Sequence, residues 1–152
     1  MEPPPLTFVM QIRIEVGEPV DLGPAPTGHR RLVPILGGTV TGPGCSGRVL
    51  PAGADDQRLT SSTLTELDAS YSLETDDGAR IGVRNTGIRV GRAEDIRAIV
   101  EGEPVPPERI HFRTQPRFTT AAPDLAWMNE RLFVARGART PDAVQLEVFR
   151  LD

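Results

Sequence analysis

The acid–base chemistry open to this chain rests on few side chains, because it has two histidines, one cysteine and no lysine. His111, with an ordinary imidazole pKa of about 6.5, suits a general acid or base. Asp55 is the second candidate proton carrier. Its neighbour Asp56 makes no dyad with it by spacing alone, since adjacent residues of an extended chain point to opposite faces. Tyr71 and Asn85 can orient a carbonyl or hydroxyl of a ligand. Arg113 can hold a carboxylate or phenolate through two parallel hydrogen bonds. Trp127, the one tryptophan, is placed to plug an end of the molecule beside a short helical turn. His111, Asp55, Tyr71, Asn85, Arg113 and Trp127 are therefore the candidate site. The competing reading leaves His111 and Arg113 on a solvated strand face, opposite Ile110, Phe112 and Phe118.

The rest of the composition removes whole classes of chemistry. All 17 basic residues are arginine, which excludes Schiff-base catalysis, covalent pyridoxal phosphate and a P-loop lysine. The sequence has no Gly-x-Gly-x-x-Gly or Walker pattern, no Gly-x-Ser-x-Gly elbow and no His/Cys spacing for a metal. No cofactor and no metal are expected. A net charge of −4 gives no basic field for nucleic acid. No apolar run reaches the roughly 18 residues of a membrane helix, and the start Met1-Glu2-Pro3-Pro4-Pro5 lacks the pattern of a signal peptide. With the lone Cys45, these features fit a cytoplasmic protein.

The elements that must position the candidates are strands. Gly 15 and Pro 15 in 152 residues argue for many short strands and turns in one domain, residues 1–152. Leu6 to Val16 alternates with period two, with Leu6, Phe8, Met10, Ile12, Ile14 and Val16 on one side. Further strands are expected near 31–41, 45–50, 109–118, 131–138 and 143–151, with loops at 17–28 and at 51–62, the latter holding Asp55. Ala93 to Glu101 is the one helix candidate, with Ile96, Ile99 and Val100 in a stripe. The hairpin from Leu64 to Arg89 turns at Asp76-Asp77-Gly78. A three-residue loop with Gly78 left-handed sets Thr75 against Ala79, Leu73 against Ile81, Tyr71 against Val83 and Ala69 against Asn85. A two-residue turn would set Tyr71 against Arg84, so the first register is preferred. It puts Tyr71 and Asn85 on the inner face and pairs Glu74 with Arg80 outside. The fold class is all-β: a single antiparallel β-barrel of about eight strands with one short helix, which leaves room for one small ligand.

Several stretches in order carry a family likeness. They are Gly37-Gly38-Thr39, Gly42-Pro43-Gly44, Gly47-Arg48-Val49-Leu50-Pro51 with Gly53-Ala54-Asp55, and Tyr71 to Gly78. Val83-Arg84-Asn85, Phe112-Arg113-Thr114, Pro116-Arg117-Phe118, Trp127, Asn129 and Leu132-Phe133-Val134 complete the set. Together they resemble domain-of-unknown-function family 3237, a likeness that implies an antiparallel β-barrel and no settled activity. The chain departs from the family pattern at Asp56, Gly82, His111 and Thr119. Missing aromatic groups there imply a roomier or more polar pocket.

Two functions follow. The first is a cofactor-independent enzyme moving a proton on a small carbonyl or aromatic metabolite, as an isomerase, cyclase, hydratase or lyase. His111 or Asp55 carries the proton; Tyr71, Asn85 and Arg113 hold the substrate at a shared pocket, with His111 and Arg113 at its mouth. The second is a non-catalytic binding or carrier barrel. The partner expected is a small molecule, not nucleic acid or membrane, with a homo-oligomer possible.

Overall fold

Alternation of side chains shapes the sheet in this computed structural model, which describes residues 1–152. In β1 (Leu6–Val16) Met10, Ile12 and Ile14 are buried while Gln11 and Glu15 are exposed. The regular face does not extend to the start of the strand. A bulge between Phe8 and Met10 puts Val9 and Met10 inside together and turns Leu6 and Phe8 outward.

Nine further strands follow: β2 (Val20–Ala25), β3 (Gly28–Thr41), β4 (Gly47–Val49), β5 (Ala54–Leu59), β6 (Leu64–Thr75), β7 (Arg80–Val90), β8 (His111–Thr120), β9 (Phe133–Arg139) and β10 (Ala143–Leu151). The helix α1 (Ala93–Val100) sits in the β7–β8 connection, and a 3₁₀ segment spans Pro123–Glu130 between β8 and β9. Every pairing is antiparallel, and β1 pairs both β10 and β3, which closes the sheet into an eight-stranded barrel. Ten segments fill eight positions because β4 and β5 successively occupy the gap between β3 and β6, while β2 continues the β1 side of β3.

Two of these strands lie where loops were expected. Residues 17–28 contain β2 and residues 51–62 contain β5. β2 alternates only over Val20-Asp21-Leu22, with all three exposed, before Gly23 and Pro24, and β5 does not alternate apolar with polar. In β5, Asp55 and Gln57 face inward, while Asp56 and Arg58 face outward and pair with Arg30 and Glu66. The hairpin takes the register that its turn chemistry requires. Thr75 N–H donates to Ala79 O at 2.8 Å, Gly78 has φ +87°, and Tyr71 opposes Val83. Glu74 accepts from both Arg80 and Arg48 at 3.1 Å on the outer face.

The barrel core runs from Met10, Ile12 and Val148 through Leu73 and Ile81 to Phe118, Phe133 and Met128. Met128 and Trp127, from the 3₁₀ segment, pack onto the end of the barrel where the β6–β7 hairpin turns. That end is apolar. The other end is not.

Candidate functional site

Toward the β5 end, the inner face of the barrel becomes polar. Asp55 and Gln57 from β5, Tyr71 from β6, Asn85 and Arg89 from β7, Thr114 from β8 and Arg139 from β9 line one cavity. Ile14, Val33, Ile35, Val144 and Leu146 supply its apolar wall. The cavity measures about 40 Å³, above the roughly 10–15 Å³ that one water needs. Six buried side-chain polar atoms have no hydrogen-bond partner in the protein, and five of them line this cavity: Gln57 Oε1, Tyr71 Oη, Asn85 Oδ1, Arg89 Nε and Thr114 Oγ1. Buried polar groups in native proteins are nearly always satisfied, so five unpartnered ones around one cavity single it out as the candidate site.

Asp55 is held from two sides. Gln57 Nε2 donates to Asp55 Oδ2 at 2.9 Å, and the backbone N–H of Asp68 donates to Oδ1 at 3.1 Å. Burial nevertheless raises its pKa above the ordinary aspartate value, against these donors and the positive charge of Arg89. Arg89 is 2% exposed, and its guanidinium carbon lies 5.6 Å from the centre of the Phe112 ring. Burial pushes Arg89 down to about 10, with Asp55 opposing the shift and Arg139 and Arg31 adding to it. Burial, with Asp55 nearby, holds the Tyr71 phenol well above its usual range, so Tyr71 is a neutral donor. No group of three or more His, Cys, Asp or Glu side chains forms a cation site.

Of the six residues singled out in the sequence, the fold gathers Asp55, Tyr71 and Asn85 around this cavity. It does not gather the other three there. In β8 the buried residues are Phe112, Thr114, Pro116, Phe118 and Thr120, which sends His111 and Arg113 outward. Pairing with β7 continues from Val90–His111 to Ile81–Thr120 without a shift, so no bulge near Pro116 turns the strand over. His111 and Arg113 instead line an outer groove with Leu6, Ile88 and Phe149. The expected convergence of His111 and Arg113 with Asp55 at one pocket mouth is thereby corrected: the apolar side of β8 takes the lumen. Trp127 is half-buried at the opposite end, its ring centre 6.1 Å from that of Phe133.

The departures from the family pattern also fall outside the barrel. Gly82 pairs directly with Thr119, and both border a broad open groove of about 950 Å³ on the outer sheet face. Asp56 pairs with Arg30 on the outer face, and His111 lies outside as described. They reshape the surface and leave the lumen as it is, contrary to the expectation of a roomier or more polar pocket.

Arg89, Gln57, Thr114, Arg31 and Arg139 were missed. Continuing the hairpin alternation from Asn85 carries the inner face through Gly87 to Arg89, and Arg31 shares a face with Val33 and Ile35.

A closed antiparallel eight-stranded barrel with one polar internal cavity defines the class of protein. The chain belongs to the family described as "Protein of unknown function (DUF3237)", which it matches over residues 4–151. It is 46% identical over 144 residues to UPF0311 protein RPA1785 of Rhodopseudomonas palustris, covering 95% of this chain and 94% of that one. The crystal structure of RPA1785, a conserved protein of unknown function, superimposes with a TM-score of 0.94 at 43% identity, covering 100% of this chain and 99% of that one. A more distant neighbour, described as an enzyme from Penicillium herquei, shares the fold with a TM-score of 0.75 at 19% identity, over 100% of this chain and 97% of its own.

Proposed function

We propose that the polar lumen is a small-molecule site in which Asp55 moves a proton on a carbonyl-bearing or aromatic metabolite, in a reaction of the isomerase, cyclase, hydratase or lyase type. The carrying observation is the set of five unpartnered polar atoms around one buried carboxylate. Tyr71 O–H and Arg89 Nε–H donate to the substrate oxygen on which negative charge develops. Asp55, its proton affinity raised by burial, takes the proton and returns it. Gln57 and the Asp68 N–H fix the carboxylate while it does so. Asn85 Oδ1 and Thr114 Oγ1 offer acceptors for a substrate hydroxyl. The small cavity fits a reacting head group, with the remainder of the molecule reaching outward. The neighbour from Penicillium herquei, described as an enzyme, is a case of catalysis on this fold.

A carrier barrel is the second reading, favoured by one observation: Asp55 is the one carboxylate lining the cavity, and no histidine faces it. Deuterium exchange separates the two. The protein is incubated in D₂O with a panel of small enolisable carbonyl compounds, and loss of the carbon-bound proton is followed by NMR. Catalysed exchange that falls by about 10²–10⁴ in Asp55→Asn supports the enzyme. Compounds that perturb lumen resonances but never exchange leave the carrier.

A further inference from the structure

We propose that the ligand of the lumen is an anion, a small carboxylate whose charged end sits among Arg31, Arg89 and Arg139. This inference rests on the reading of the lumen as a small-molecule site and names the class of molecule it takes. The three side chains come from β3, β7 and β9 and meet at the polar end of the barrel. Arg31 stands beside Gln57 across the β3–β5 pair, while Arg89 and Arg139 line the cavity itself. Arg31 is 7% exposed and Arg89 2%.

Their partners are what sets them apart. Most surface arginines of this chain are matched with carboxylates, among them Arg30 with Asp56, Arg48 and Arg80 with Glu74, Arg84 with Asp68, and Arg136 with Glu147; those that are not, Arg97, Arg113, Arg117 and Arg131, are exposed to water. No carboxylate oxygen lies within 4.0 Å of Arg31, Arg89 or Arg139. That inverts the usual economy, in which exposed ion pairs matter little and a buried cation requires a counterion. Arg139 donates only to the carbonyls of Thr140 and Ala143. Arg89 rests on Phe112 with Nε unused. Asp55 is the one carboxylate lining the cavity. Two guanidiniums, Arg89 and Arg139, against that one carboxylate leave the cavity lining positive, with Arg31 adding to it and Asp21 and Asp142 acting on Arg31 and Arg139 from outside the lining.

The shape selects among anions. A flat carboxylate matches the planar guanidinium fork through paired hydrogen bonds. A cavity of about 40 Å³ admits the planar head group and little more, so a longer body reaches past it. Ile14, Ile35, Val144 and Leu146 face the hydrocarbon portion.

The test uses sodium acetate, 2-oxobutyrate and benzoate, the neutral methyl esters of each, and inorganic phosphate at matched ionic strength. Thermal unfolding and the NMR shifts of lumen amides are read together. The expected result is a saturable rise in unfolding temperature with at least one carboxylate, lumen shifts with the same compound, and at least tenfold weaker binding in Arg89→Met and Arg139→Gln. Arg139 is only half-buried, so its variant gives an independent test that leaves the barrel interior unchanged. Esters that bind the lumen as tightly as the acids overturn the anion inference and leave the small-molecule site standing. Phosphate binding through these arginines in place of the carboxylates overturns the carboxylate assignment. Absence of lumen shifts with every compound overturns both readings.

Discussion

Arg89 is kept in its place against the interest of the fold. A buried guanidinium without a counterion loses its hydration and gains only a ring face and distant charge. Arg89→Met, of similar length and apolar, should therefore raise the thermal unfolding temperature at low pH, where Asp55 is neutral and loses no counter-charge. A fall in that temperature would mean that Arg89 already has the partners it needs. Asp55 makes a matching prediction in pH. Its pKa is raised by burial, so the fold favours the neutral carboxyl. The resulting stability is present in full below the unfolded aspartate value of about 3.9 and is lost as pH rises through the folded value. Relative to Asp55→Asn, the native chain should thus lose stability as pH climbs from about 4, then level off above the folded pKa. Urea midpoints of the two proteins across that range check it, and a constant difference would show that Asp55 titrates as it does unfolded. Tyr71 and Asn85 were legible as inward residues because a turn fixed their register. Arg89 was not, because an arginine is normally read as a solvent-face residue however well its spacing places it inside.

Elements were legible where one face was apolar. β1 and β10 end where the alternation ends, at Leu6–Val16 and Ala143–Leu151. β5 was hidden because it is polar on both faces: Asp55 and Gln57 serve the lumen, and Asp56 and Arg58 serve ion pairs outside. Alternation of hydrophobicity cannot reveal a strand that borders a polar cavity, and so a strand lining the lumen reads as a loop. β8 shows the converse: its apolar face is plain in the sequence, and the competing reading that left His111 and Arg113 on a solvated face is the one the fold takes. Two glycines let the strand pairings be tested. Gly78 has φ +87° with nothing within 4 Å of an added Cβ, so Gly78→Ala pays only for the backbone, about 1–2 kcal/mol. Gly38 pairs with Ile14 at the β1–β3 seam, where an added Cβ would lie 1.9 Å from the carbonyl oxygen of Arg13. Gly38→Ala must push β1 from β3 and should cost far more, either opening the barrel or preventing folding. Denaturant unfolding orders the two variants, and equal losses would mean that the seam yields without opening.

At the scale of the whole molecule the barrel has two unlike ends. Met128 and Trp127 cover the apolar one, against Phe118 and Phe133, whose rings meet edge to face at 4.9 Å. Asp55 and the unpaired arginines occupy the other. A single cluster joins them, from Met128 through Ile81 and Leu73 to Tyr71 and Leu67. Because the sheet is closed, neither end can lose its packing without breaking pairings shared by both. The one tryptophan therefore reports on a site it does not touch. Trp127 emission and far-ultraviolet circular dichroism should give coincident unfolding curves. A carboxylate bound in the lumen should shift both midpoints together, while leaving the native emission unchanged because Trp127 does not line the cavity. Curves that separate would show that the polar end opens on its own while the Trp127 end stays packed. A native emission that changes on binding would place the ligand at the Trp127 end, away from Asp55.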